Sequence, residues 1–141
     1  MESDRPALAP SPFASPGGRA RVFVSTGLGA YGNIRAALGH LDLAPVAGKT
    51  VLLNPNAGRM ARPGRGVTTH PQAVAAAIDA FREAGASVLV GESPISGVDT
   101  REAFAATGIA DVAHARNCPL VDLDEGRPVR LAIPNGAAVN E

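Results

Sequence analysis

Residues Val51–Pro94, VLLNPNAGRMARPGRGVTTHPQAVAAAIDAFREAGASVLVGESP, decide the fold. Thr50 to Leu53 is apolar at consecutive positions, as in a strand covered on both faces, and Asn54, Pro55 and Asn56 stop it. A helix is predicted to open near His70. Thr69 or His70 can cap it, and Pro71 suits the first turn, where a missing N–H costs nothing. Val74, Ala77, Ile78, Phe81 and Ala84 recur at helical spacing, and Gly85 is placed to end the helix in a left-handed conformation. Ser87 to Val90 then reads as the next strand. Strand, helix, tight turn and strand make one parallel βαβ unit with a right-handed crossover, and the long Arg/Gly loop ahead of the helix opens at its carboxyl edge.

On the amino-terminal side, Arg21 to Ser25 (RVFVS) is short and β-branched and reads as an earlier strand. Thr26 to Gly29 turn the chain, and Asn33 to Leu41 is predicted as a helix from Ile34, Ala37, Leu38 and Leu41. Residues 1–19 hold four prolines and paired glycines without an apolar signal-like core, and read as a disordered lead-in. On the carboxyl side, Asp99 with Glu102 resembles a capping box opening a short helix through Ala106. Gly108 breaks it, and Ile109 to Arg116 add a further turn or two. Pro119 to Leu123 is predicted as a fourth strand and Val129 to Ile133 as a fifth; if the fifth is antiparallel, Asp124 to Arg127 is a hairpin-like turn. The expected architecture over residues 20–141 is a single three-layer α/β domain, with a mostly parallel sheet of four or five strands and helical crossovers.

Composition narrows the function. A chain of 141 residues points to one domain. Aromatic residues are 4% and Trp is absent, so the core must be built from Ala, Val, Leu and Ile. Thirteen basic residues balance thirteen acidic ones, which gives no steering toward nucleic acid or an anionic membrane. Lys49 is the single lysine and sits in a turn, which argues against Schiff-base chemistry. Cys118 is the single cysteine, so no cysteine-ligated iron–sulfur cluster fits within this chain, and a reducing, cytoplasmic setting is expected. No apolar run is long enough to span a bilayer.

In parallel α/β sheets ligands gather outside the carboxyl ends of the strands. The residues this chain sends there are Asn54 and Asn56, then Glu92 and Ser93, then Asp122 and Asp124. The loop RMARPGRGVTTH, residues 59–70, adds Arg59, Arg62 and Arg65 and delivers Thr69 to a helix start, where free N–H groups and the helix dipole favour an anion. Arginine supplies a planar fork for carboxylate or phosphate. The candidate ligand-binding residues are thus Asn56, Arg62, Arg65, Thr69 and Ser93, with His70 and Glu92 as candidate acid–base groups. The plain structural alternative makes Thr69 or His70 a cap, the arginines a solvated surface, and Glu92 with Ser93 backbone caps in a turn. The acidic group Asp122, Asp124 and Glu125 reads as a solvated turn, and His40 and His114 as exposed or structural. GLGAYGN at 27–33 contains GxGxxG at Gly27, Gly29 and Gly32 but lacks an acidic residue about 20 positions on.

The stretch from about Thr50 to about Leu131 resembles the domain-of-unknown-function 362 family. The likeness is carried by Asn56 in a strand-end PN, by GVTTHP at 66–71, by EAGA and GESP around the following strand, by TREAFAATG at 100–108 and by VDLDE from Val121. The family shows a lysine before PN, where this chain has Asn54, and its pattern continues well beyond this length with a later Pro-Lys-Leu-Lys-Thr-His-like segment and cysteine-ligated iron–sulfur modules. The resemblance therefore implies the first half of a larger domain in a redox or iron–sulfur-linked system. Three functions follow as expectations: a domain binding a small anionic or metal-associated ligand, a non-catalytic module completed by a second polypeptide or by another copy, and a Rossmann-like nucleotide-binding enzyme.

Overall fold

The computed structural model describes residues 22–127 of the 141. The sheet has three parallel strands in the order β1 (Thr50–Leu53), β2 (Ser87–Glu92), β3 (Leu120–Asp122). Thr50 pairs with Ser87 and Leu53 with Val90, while Val90 pairs with Leu120 and Glu92 with Asp122. Helix α1 (Gly29–Leu38) precedes β1, α2 (Pro71–Glu83) crosses from β1 to β2, and the pair α3 (Thr100–Ala106) and α4 (Ile109–His114) crosses from β2 to β3. This is the expected α/β class with helical crossovers.

Local chemistry sets each boundary. His70 is the N-cap of α2, with Nδ1 accepting from the Gln72 N–H at 3.2 Å, and Pro71 follows at the first position. At the other end Gly85 has φ +86°. Its N–H bonds Arg82 O, and Ala86 N bonds Phe81 O at 3.0 Å, which together form a Schellman stop. Asp99 caps α3 by accepting from Glu102 N at 2.9 Å, as the capping-box pattern predicts. Gly108, at φ +71°, separates α3 from α4.

The core lies between the sheet and α2, α3 and α4. Val74 and Ile78 of α2 and Phe104, Ile109 and Ala113 of the helical pair close over Val88 and Val90 of β2. Cys118 is buried there, and its thiol donates to Val88 O. Burial raises its pKa and keeps it protonated.

Three expectations need correction. Residues Val22–Ser25 are not a strand of this sheet: Val22 and Val24 stand 85% and 84% exposed, and Phe23 stacks on His40 with ring centroids 4.6 Å apart. A β-branched run becomes a strand only when a neighbour pairs with it. Helix α1 begins at Gly29 and ends at Leu38, not Asn33 to Leu41. Asn33 does not open the helix; it sits inside it and its Oδ1 folds back to accept from Leu28 N at 3.1 Å. Finally, the sheet has three strands among the described residues, not four or five. Two crossovers of one hand that step the same way must lie on the same face. Helices α2, α3 and α4 therefore share a face, and α1 packs against α2. On the opposite face Leu52 and Leu123 meet over Gly91, each within 2.9 Å of where a β-carbon would sit. The expected strand Val129–Ile133 and the lead-in 1–19 lie outside the described residues.

Candidate functional site

The carboxyl ends of β1 and β2 are joined by one carboxylate. Glu92 Oε2 accepts from Ala57 N at 2.7 Å; its Oε1 accepts from Ser93 N at 2.9 Å and from Asn54 Nδ2 at 3.3 Å. The same Asn54 amide donates to Gly91 O at 2.8 Å. Three donors on one half-buried carboxylate make Glu92 a strut that holds the segment after β1 against the end of β2. Ser93 reaches the turn that follows the third strand by donating its hydroxyl to Asp124 Oδ1 at 2.6 Å. Asp122 accepts from Asp124 N at 2.9 Å and also holds the Thr100 hydroxyl, the main cause of its lowered pKa. The acidic group is thus partnered: Glu125 lies 3.6 Å from Arg101.

The loop after β1 is tied at both feet. Asn56 N donates to Thr69 Oγ1 at 3.0 Å, Thr69 N donates to Asn56 O at 2.8 Å, and Asn56 Nδ2 donates to Val67 O at 3.2 Å. At its far side the Pro63 and Pro71 rings lie over Gly108, each within 3.5 Å of where a β-carbon would stand. Between these ties Arg59, Arg62 and Arg65 are exposed, and none of their three side chains has an ion pair or hydrogen bond among the described residues.

Asn56, Thr69, His70, Glu92 and Ser93 therefore stand along one sheet edge, with Arg62 and Arg65 on the loop beside them. Much of their polar capacity goes to backbone. Because His70 Nδ1 accepts the Gln72 N–H, its neutral ring carries the proton on Nε2, which makes the exposed nitrogen a donor. Among the described residues no group of three or more His, Cys, Asp or Glu is placed to hold a metal ion.

The glycines of the GxGxxG stretch lack the context that gives such a motif meaning. The extended residues before Gly27 are not a strand of the sheet, and Gly32 lies within α1, where a β-carbon would strike Leu28 Cβ at 2.7 Å. The turn there is filled by the Asn33 side chain.

A second polar cluster, which the sequence reading did not find, lies on the helical side. Asp79 of α2 accepts from Tyr31 Oη at 2.9 Å and from Arg116 Nε and Nη2 at 2.8 and 3.0 Å. Arg35 pairs with Glu83, and Arg82 donates to the carbonyls of Arg116 and Asn117. The Arg116 guanidinium, then the Tyr31 hydroxyl, hold the Asp79 carboxyl below the usual range against the opposing effect of burial. A lone acid in the apolar run VAAAIDAF was the available sign, but nothing local names Arg116 as its partner.

Among known proteins, the chain is similar to a thylakoid-associated protein of Synechocystis sp. (strain ATCC 27184 / PCC 6803 / Kazusa), with 36% identity over 80 residues. That alignment covers 57% of this chain and 25% of the relative, so the chain spans about a quarter of the length of that curated protein. No solved structure matches. No helix among the described residues is long and apolar enough to cross a membrane. The family pattern of the domain of unknown function DUF362 matches residues 51–141, and the chain belongs to that family.

Proposed function

We propose that this DUF362 chain binds a small anion, a phosphate or carboxylate, at the loop between β1 and α2. The observation that carries the reading is the contrast within that loop: its feet are fixed by Asn56, Thr69 and Glu92, yet the side chains of Arg59, Arg62 and Arg65 have no partner among the described residues. A fixed frame lowers the ordering entropy lost when arginines close on a ligand. Arg62 and Arg65 supply the forks, and the His70 Nε2–H supplies a further donor. Glu92, Ser93 and Asn56 position the loop, and Glu92 and His70 are the groups that would move a proton if the bound molecule reacts. In the redox or iron–sulfur-linked setting that the family resemblance suggests, and the cytoplasmic one that a single cysteine suits, a cysteine-ligated cluster would draw its ligands from outside these 141 residues, because Cys118 alone cannot hold one.

The test is thermal unfolding of the protein against increasing inorganic phosphate and citrate, at constant ionic strength set with chloride. A ligand present at 100 times its Kd stabilises by about 2.7 kcal/mol, so a dose-dependent rise in Tm is expected. The rise should vanish in Arg62→Ala/Arg65→Ala. No rise in the wild type, or an equal rise in the double variant, overturns the reading.

A second reading, an interaction module completed by another polypeptide or another copy, is favoured by a separate observation. Both β1 and β3 are edge strands among the described residues, and Leu52 and Leu123 leave apolar surface on the face opposite Val88 and Val90. Light scattering at micromolar concentration distinguishes it: a clean monomer counts against association of copies.

A further inference from the structure

We propose that the anion taken by the arginine loop is the head of an amphiphile, whose aliphatic body lies in the groove between α1, the free edge of β1 and α2. This rests on the anion reading above and names the ligand class for the same site. The groove encloses about 350 Å³, the size of a small-molecule cleft. Leu38 of α1, Leu52 of β1 and Val74 of α2 wall it, and none of the residues lining it is charged.

The helices meet there without closing the space. Helix α1 buries none of its residues fully, whereas α2 buries six of its thirteen. Ile34 and Leu38 stay half-buried along the groove, and Leu52 is 45% exposed. The side chains between them are small: Ala37 on one helix, Ala73 and Ala77 on the other, all half-buried. An aliphatic body laid across this surface removes apolar area from water on both sides of the contact.

The polar end of the groove selects the occupant. Asn54, Pro55 and Thr69 line it at the carboxyl end of β1. These are the residues where the arginine loop leaves the strand and returns to α2. His70 comes next and heads the spacing 70, 73, 74, 77, so it stands on the helix side that lines the groove, one turn further on. The donors of the anion site and the open end of the groove thus share one edge of the sheet, and no carboxylate in the groove opposes a negative head. A bare phosphate would leave the groove empty, and a purely apolar partner would leave the donors unused. A phosphate or carboxylate with an aliphatic body engages both.

The test is isothermal titration of the full chain with methyl phosphate, n-hexyl phosphate and the uncharged hexyl β-glucoside. A fully buried methylene is worth about fourfold in Kd, so partial burial of the longer chain predicts hexyl phosphate at least about tenfold tighter than methyl phosphate. The ratio should fall below about twofold in Ala77→Leu, which fills the groove, and in Ala37→Leu, which fills it from the other helix. In the wild type, hexyl but not methyl phosphate should shift the amide NMR signals of Ala37, Ala73 and Ala77, a readout that stands if either variant fails to fold. Equal Kd values for the two phosphates overturn this proposal and leave the anion reading intact; no binding of either phosphate defeats both. A glucoside that binds as tightly as hexyl phosphate, or a ratio unchanged in both leucine variants, overturns it too. If the same amides shift on raising the protein concentration without ligand, the groove belongs to a second copy and the proposal falls.

Discussion

Arg35, Arg82 and Arg116 sit on or beside helices and Arg59, Arg62 and Arg65 on the loop after β1, and the protein uses the two sets in opposite ways. Arg35, Arg82 and Arg116 are spent within the structure, on Glu83, on the carbonyls that follow α4, and on Asp79. They hold α1 and the end of α4 to α2. The side chains of Arg59, Arg62 and Arg65 have no partner among the described residues, although six hydrogen bonds from Asn54, Asn56, Ala57 and Thr69 fix the base of the loop that bears them. The same side chain is a cross-tie where two helices need joining and an unfilled donor where the loop backbone already has its partners. Residue type alone does not tell the two apart; the location of the nearest carboxylate does.

The largest effect should come from breaking a cross-tie. Asp79→Ala strands the Arg116 fork and the Tyr31 hydroxyl at a site where Asp79 is only 25% exposed, and we expect a loss of about 2–3 kcal/mol in urea unfolding. A loss under about 0.5 kcal/mol, the ordinary range for surface substitutions, would put the cross-tie on the same footing as the free arginines.

The same carboxylate gives the pH dependence. Asp79 has a lower pKa folded than unfolded, so its contribution is complete above the ordinary carboxylate value of about 4 and is lost as pH falls through the depressed folded value. Asp79→Asn should therefore flatten the acid limb of a stability-against-pH curve. An unaltered limb would assign acid sensitivity to other carboxylates.

At the rim, Glu92→Gln keeps the shape but removes the charge that three donors share, and should cost about 1–2 kcal/mol. It should also loosen the feet of the arginine loop, seen as faster exchange at the Ala57 amide. The smallest effect belongs to the loop itself: Arg62→Ala/Arg65→Ala should shift stability by less than about 0.5 kcal/mol without added anion. A larger loss would show that these arginines are cross-ties after all, and would erase the contrast between the two sets.

The sequence made the βαβ unit legible because its signals are local. The apolar run at Thr50–Leu53, the stripe from Val74 to Phe81 and the stops at Pro71 and Gly85 each act within a few residues, and β1, α2 and β2 follow from them. The VFVS run failed as a strand because pairing is not a local property, and α1 began early because Asn33 bonded backward rather than forward. At the rim, the types and the shared edge of Asn56, Thr69 and Glu92 were readable, since parallel strands end on one side. Which atoms each would bond was not, because Ala57 N and Val67 O are backbone groups that any residue supplies. The Asp79–Arg116 pair was out of reach for a related reason: its members are 37 positions apart, one on α2 and the other just past the end of α4.

Gly108 marks a place where two distant parts of the chain share one small space. The Pro63 and Pro71 rings lie at ordinary contact distance from where a methyl group there would stand, so the methyl would touch the arginine loop and the first turn of α2 without displacing either. Gly108→Ala would instead strain the left-handed backbone of the α3–α4 corner, by about 1 kcal/mol, and leave the guanidinium groups where they are. These parts of the chain thus adjoin at one residue, and the turn of the backbone rather than the rings above it reserves the place for glycine.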